Sequence, residues 1–180
     1  MTRVAIDCRL IGKEISGIAK YIIMLLKGLN SIETLPYEII LITSRDKEEI
    51  KRITDVAGEI KFSSLPVNFK PMTVKDQFLL PEVLKNNKVK LYYSPYFCIP
   101  YFCDARTIAT FHDLIPILYP EFVSGTKKAR YNKLFKFAHY FSMKRSDHIV
   151  VVSETTRNDV FKHYGISYDA KVSAVSYTHL

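Results

Sequence analysis

The chain of 180 residues has three cysteines, no CxxC pair and no long apolar run, and each shortage removes a class of protein. Cys8, Cys98 and Cys103 form an odd set without metal-ligand spacing, so they are expected as reduced thiols packed as small hydrophobes. A disulfide frame and a zinc site are excluded on the same grounds. The longest apolar stretches, Ile22 to Leu26 and Ile149 to Val152, fall far short of the roughly 20 residues that a membrane-spanning helix needs. At the amino terminus only three apolar residues separate Arg3 from Asp7, too few for the signal-peptide core of about 7 to 15 residues. A cytoplasmic location is the expectation.

Phosphate-binding signatures are also missing. A GxxxxGK[ST] loop nearly fits Gly12 to Gly17 but fails at Ile18 and Ala19, leaving neither a lysine for phosphate nor a hydroxyl for magnesium. The dinucleotide pattern GxGxxG is absent too. His139, His148, His163 and His179 have no ligand spacing to one another or to the cysteines, so no metal is expected. Internal repeats and low-complexity tracts do not occur. What the chain does have is 48% hydrophobic residues, which argues against disorder and supplies a core for a domain of this length.

That apolar content is periodic. Arg3 to Asp7 reads as a first strand, and Ile18, Tyr21, Ile22, Leu25, Leu26 and Leu29 then recur on one helical stripe. Glu38 to Thr43 is a second strand, Asp46 to Ile53 a charged surface helix and Glu59 to Leu65 a short third strand. Asp76 to Lys85 reads as helix, with Pro81 expected to kink or divide it. Lys90 to Tyr93, Arg106 to Phe111 and Asp147 to Val152 complete the strands. Helices are predicted from about Gly125 to Lys144 and from Glu154 to Tyr164, the second with Val160, Phe161 and Tyr164 facing the core. Strands alternating with helices predict an α/β, Rossmann-like three-layer sandwich with a mostly parallel sheet, filling one domain over residues 1 to 174.

Three predicted strand ends carry candidate chemistry, since ligands of open parallel sheets bind beyond the carboxyl ends of the strands. The first is the loop ending in Ser16 and Gly17, which opens a helix whose N–H groups favour phosphate or sugar oxygens. Ser16 is equally well read as an N-cap and Gly17 as a turn residue. The second end is Arg106 to Glu121, RTIATFHDLIPILYPE. It places His112 and Asp113 after a β-rich strand, and Pro116 and Pro120 are expected to stop any helix just beyond. His112 is either functional or a satisfied structural imidazole, and Asp113 is either functional or does no more than form an Asx turn or cap the backbone at Leu114 and Ile115. The third end is Ser153, an N-cap with Glu154 behind it and Gly165 closing the helix, which accounts for the segment without any function.

Together, GIAKYI from Gly17, TFHDLIPILYPE from Thr110 and RSDHIVVVSETTRNDVFKHYGI from Arg145 resemble the N-terminal domain of retaining GT-B glycosyltransferases of family 4. The similarity extends to the mannosyltransferase B-like branch, which builds bacterial surface polysaccharides. The resemblance covers residues 3 to 174. It implies an acceptor-binding domain facing a second domain that holds a GDP- or UDP-linked sugar, with retention and without a metal or other cofactor. By that resemblance Ser16 and Gly17 lie near the donor phosphates, with Ser16 departing from the family's paired glycines. His112 contacts the transferred sugar or shapes the reactive centre, Asp113 orients the loop or acceptor, Ser153 lines the cleft and Arg157 adds positive charge. The departing phosphate is thought to help deprotonate the acceptor hydroxyl, leaving the protein to position and to stabilise charge.

The family's E-x7-E donor motif is absent, since no two glutamates stand eight apart. After Ala174 the chain reads Val175-Ser176-Tyr177-Thr178-His179-Leu180, which looks like the translated end of a transposon. The expectation is that residues 175 to 180 are not native and that a donor-binding domain is missing.

Two surface features remain. From Glu121 to Asp147 the basic residues Lys127, Lys128, Arg130, Lys133, Lys136, Lys144 and Arg145 meet no acidic one, which nearly accounts for the net charge of +8. Helical spacing puts Tyr131, Leu134, Phe135 and Ala138 on one face, and Arg130, Lys133, Lys136, Phe137, Tyr140 and Lys144 on the other. The basic face is either simply solvated or docks on an anionic membrane carrying a lipid-linked glycan acceptor. No nucleic-acid motif accompanies it, so nucleic acid is set aside. The run from Tyr92 to Phe102 packs under a crossover loop or lines an acceptor cleft, with Tyr96 and Tyr101 as acceptor-binding candidates. A non-catalytic nucleotide- or carbohydrate-binding module is the rival to the enzyme.

Overall fold

The computed structural model describes residues 1–12, 16–44, 47–57, 61–123, 132–165 and 171–175. They fall in two compact units, one made of Met1–Pro95 with Pro100–Arg106, the other of Tyr96–Ile99 with Thr107–Leu180.

In the first unit β1 (Thr2–Asp7), β2 (Tyr37–Ser44), β3 (Ser63–Val67) and β4 (Val89–Ser94) lie parallel in the order β3-β2-β1-β4. Thr2 pairs with Tyr37 and Asp7 with Ile42, so β1 and β2 start level and β2 runs two residues further. Their alternate side chains enter two cores. Val4, Ile6, Ile39 and Leu41 meet Ala19, Ile22, Ile23 and Leu26 of α1 (Gly17–Asn30) and Ile53 of α2 (Lys47–Ala57). Ala5 and Ile42 meet Leu80 and Leu84 of α3 (Val74–Asn86). Helices on both faces make this the predicted α/β, Rossmann-like class, and explain why β1 and β2 read as nearly continuous apolar runs. Pro81 sits inside α3, which stays one helix. Thr73 caps its start, accepting from the Asp76 N–H at 3.2 Å. β3 begins four residues later than expected and ends at Val67.

In the second unit β5 (Arg106–Phe111, from Thr107 on), β6 (His148–Val151) and β7 (Val172–Ala174) are also parallel, with Phe111 opposite Val151 and Val151 opposite Ala174. β7 was not expected; three residues are too few to show a period. The short helix α4 (Ile115–Leu118) and a 3₁₀ turn over Pro120–Val123 follow β5. They correct the expectation that the prolines forbid helix there. Pro116 and Pro120 lie in first turns, where a missing N–H costs nothing and the fixed φ suits the helix.

Within the described residues α5 runs over Asn132–Arg145 and α6 over Glu154–Tyr164. α5 buries His139, Ser142 and Met143. Leu134, expected on its inner face, is 64% exposed, and Phe161 of α6, expected in the core, is exposed as well. The inner side is filled instead by His139, Ser142 and Met143 of α5 and by Thr156 and Val160 of α6. Gly165 closes α6 in the left-handed conformation at φ 62, and its N–H donates to the Phe161 carbonyl at 2.9 Å. Among the described residues no helix is long and apolar enough to cross a membrane.

Candidate functional site

At the carboxyl end of β5 the second unit gathers most of the residues the sequence singled out. The Asp113 carboxylate accepts from the Ile115 N–H at 2.9 Å, the Asx turn that its position allowed. His112 is half-buried, and its carbonyl oxygen accepts a hydrogen bond from the Thr156 hydroxyl at 3.3 Å. That hydroxyl also lies 3.0 Å from the Ser153 oxygen. Thr156 has one proton, given to a carbonyl that can only accept, so Ser153 must donate to Thr156. Ser153 meanwhile accepts the Thr156 N–H at 3.1 Å as the cap of α6. The Ser153 proton is therefore committed, and toward a ligand this residue offers an acceptor lone pair.

The first N–H groups of α6, on Glu154 and Thr155, have no acceptor within the helix and carry its positive end. Arg157 Nη1 pairs with Glu154 at 3.4 Å, one turn along, a partly exposed ion pair of small energetic weight. Tyr96 is half-buried beside the same loop, and burial first, then Cys98 and Asp113, push its phenol up to about 12. A neutral phenol can both donate to and accept from a hydroxyl.

An aromatic cluster holds this strand end from behind. Phe97 packs on Phe111, Phe135 and His139, with ring centroids 6.4, 5.2 and 4.9 Å apart. His139 is 2% exposed and shares a hydrogen bond with the Tyr164 hydroxyl at 2.9 Å. Burial above all, with some repulsion from His163, lowers its imidazole to about 4, so it is neutral near pH 7. Of the run from Tyr92 to Phe102, Tyr92, Phe97 and Ile99 are packed inside while Phe102 is exposed.

Ser16, Gly17 and Tyr101 belong to the first unit. Ser16 caps α1, accepting from the Ala19 N–H at 3.2 Å. A Cβ at Gly17 would meet nothing within 4 Å, so no neighbouring atom of the described structure demands glycine there. The Tyr101 N–H donates to the Gln77 side chain at 3.0 Å.

The sequence reading missed a buried network at the carboxyl end of β1. Arg9, whose side chain is 1% exposed, grips Asp7 with Nε at 2.9 Å and Nη2 at 2.7 Å, and donates through Nη1 to Asp76 at 2.8 Å. Its guanidinium also lies over the Phe69 ring, 5.3 Å from the centroid. Tyr92, whose phenol is held well above its ordinary pKa by burial and Asp7, donates to Asp7 at 2.6 Å. Burial opposes charge on Arg9, but Asp7, with Tyr92 and Asp76, outweighs it and the guanidinium is held charged more firmly than usual. The available signal was an Asp-x-Arg closing an apolar strand, where both charges would lie at a sheet edge.

Lys133, Lys136, Phe137, Tyr140 and Lys144 are all exposed on α5 as the helical spacing predicts. Lys127, Lys128 and Arg130 lie outside the described residues, as do residues 176 to 180. Among the described residues no group of three or more His, Cys, Asp or Glu side chains is placed to hold a metal ion.

The family model for Glycosyltransferase Family 4 matches residues 15–175. The crystal structure of a glycosyltransferase from Rickettsia africae ESF-5 is similar over 97% of this chain, at 16% identity and a TM-score of 0.58. That likeness shows a shared fold, and the chain spans 42% of that protein's length. The enoyl reductase domain of MlnA from Bacillus amyloliquefaciens aligns with 97% of this chain and 47% of its own, at 12% identity and a TM-score of 0.35, too little to argue from. No curated protein gives a significant match.

Proposed function

The chain belongs to Glycosyltransferase Family 4, and on that premise we propose that it is the acceptor-side half of an enzyme transferring a hexose from a nucleotide sugar to a glycan, with retention. Mannose is the proposed sugar, GDP or UDP the carrier, and a lipid-linked or surface-polysaccharide glycan the acceptor. The proposal includes a second, donor-holding domain outside these 180 residues, in keeping with the 42% of the Rickettsia structure's length that the chain spans.

The observation that carries the reading is the tie from Thr156 to the His112 carbonyl, which fixes the imidazole-bearing strand end beside the N-terminus of α6. From there each residue takes a part. His112 contacts the transferred sugar, and Asp113 holds the turn that presents it. Ser153 accepts from a sugar hydroxyl. The N–H groups opening α6, with Arg157 nearby, favour the negative charge that develops on the leaving diphosphate. Ser16 and Gly17 offer the same chemistry at the start of α1, where the open space at Gly17 suits a close-lying phosphate. Tyr96 and Tyr101 face the acceptor sugar. No side chain need act as a metal ligand, and the departing phosphate takes the acceptor's proton.

The exposed face of α5 suits a peripheral position at the inner surface of the cell membrane. There Lys133, Lys136 and Lys144, with Lys127, Lys128 and Arg130, would meet anionic headgroups, and Phe137 and Tyr140 would enter the headgroup layer. Turnover of a panel of GDP- and UDP-sugars by the complete protein tests the assignment. Transfer from one donor with retention supports it, whereas binding without transfer from any donor favours the carbohydrate-binding module.

A further inference from the structure

In the first unit β3 joins the sheet only from Ser63, which pairs with Ile40, so Tyr37, Glu38 and Ile39 at the amino end of β2 have no β3 residue beside them. A cavity of about 340 Å³ opens there, toward the small end of the range for ligand sites. It adjoins the carboxyl end of α1, a 14-residue helix, and so lies about 20 Å along that helix from Ser16 and Gly17 at its start. None of the transfer chemistry proposed above uses it.

The floor of the cavity is the edge of a core. Leu29, Leu35 and Phe62 pack against the buried cluster that contains Ile39, while Ile32 and Tyr37 line it at 46% and 49% exposure. Its walls are fixed in advance. The Lys61 N–H donates to the Asn30 side-chain oxygen at 3.3 Å, tying the segment before β3 to the end of α1. The Ser31 N–H donates to the Lys27 carbonyl at 3.1 Å and closes that helix.

Two of the polar groups are already engaged. The Ser63 hydroxyl donates to the Ile39 carbonyl at 3.4 Å, and Glu38 accepts from Arg3 Nε at 2.8 Å. Glu33 and Lys61 differ. Both are exposed on the cavity, and among the described residues the carboxylate and the ammonium pair neither with each other nor with another side chain. A simple anion would gain from Lys61 and be repelled by Glu33, and a simple cation the reverse. A zwitterion meets both charges favourably, and an apolar body on it gains from the aliphatic and aromatic lining.

We infer that this cavity binds a free α-amino acid with an apolar side chain, its ammonium toward Glu33, its carboxylate toward Lys61 and its side chain among Leu35, Tyr37 and Phe62. A nucleotide sugar or a glycan offers no apolar body carrying two opposite charges, so the ligand is distinct from the substrates proposed above.

The test is a ligand-observed NMR titration of the 180-residue chain with L-phenylalanine, a method that reads weak binding. Phenethylamine, 3-phenylpropionate and glycine serve as separate arms, lacking the carboxylate, the ammonium and the side chain in turn. Saturable binding of phenylalanine, tighter than that of all three, is expected. Glu33→Gln should weaken phenylalanine roughly three- to fivefold, the effect of one exposed charge contact, and leave 3-phenylpropionate no weaker. Lys61→Gln should weaken phenylalanine by a similar factor and leave phenethylamine no weaker. Both side chains are exposed, and an unchanged thermal midpoint verifies that each variant folds. No saturable binding of phenylalanine to the parent chain overturns the inference. Equal affinity for any of the three partial ligands overturns it too, as does phenylalanine binding that either variant leaves intact. Because the readout is binding to this chain, it stands or falls separately from sugar transfer by the complete enzyme.

Discussion

The Thr156 hydroxyl, in the first turn of α6, donates to the backbone carbonyl of His112 at 3.3 Å, joining two segments 44 residues apart at one end of a parallel sheet. Through its 3.0 Å contact with Ser153 the same hydroxyl also decides which way that serine's proton points. Capping and site geometry are thus one arrangement.

Replacing Thr156 with valine keeps the shape and removes the donor. The His112 carbonyl loses its partner, and stability should fall by about 1 to 2 kcal/mol. Urea denaturation of the variant measures this, and an unchanged midpoint would show that the tie contributes nothing.

Arg9→Met should cost far more, about 3 to 5 kcal/mol, because it strands the buried carboxylates of Asp7 and Asp76. Arg9→Lys should fall between, since one ammonium cannot reproduce the two-pronged grip on Asp7 together with the reach to Asp76. Thermal midpoints in the order arginine, lysine, methionine are the expected result.

His139 sets a pH dependence. The folded protein lowers its imidazole to about 4, whereas in the unfolded chain it titrates near 6.5. Below about pH 6.5 the unfolded state takes up a proton that the folded state refuses, so stability is full above that pH and declines as pH falls toward about 4. The loss across the window is on the order of 3 kcal/mol. His139→Phe keeps the ring contacts and should flatten that part of the curve in urea titrations at several pH values. An equally steep decline in the variant would assign the effect to other groups.

Much of this was legible in the sequence, and the misses have physical causes. β5 and α6 have the predicted bounds, because a β-branched run and a Ser-to-Gly pair of caps are local signals. The positions of His112, Asp113 and Ser153 at strand ends followed from the same signals. The Asp7, Arg9, Asp76 and Tyr92 network did not, since its members are brought together only by two strands, the loop after the first and a helix, up to 85 residues apart. Leu134 misled because helix period alone does not say which face meets a neighbour. His139, Ser142 and Met143 fill the buried side of α5, and two of those three are polar. Pro116 and Pro120 were read as breakers because their position within a helix was not yet known, and in a first turn the same residue is compatible with helix.

Gly17→Ala separates structure from function at the start of α1. A methyl group meets nothing within 4 Å, so the chain should be as stable as before or up to about 1 kcal/mol more stable. If a donor phosphate lies against this glycine, KM for the nucleotide sugar in the complete protein should rise severalfold. An unchanged KM would mean that Gly17 serves only the turn.

Steady-state kinetics of the complete protein with and without His112→Ala ask whether His112 stands at the centre of a sugar-transfer site. Transfer by the parent protein, a fall in kcat of roughly 100-fold in the variant and little change in KM for the donor are expected. Undiminished kcat in His112→Ala, alongside clear transfer by the parent, would contradict that placement.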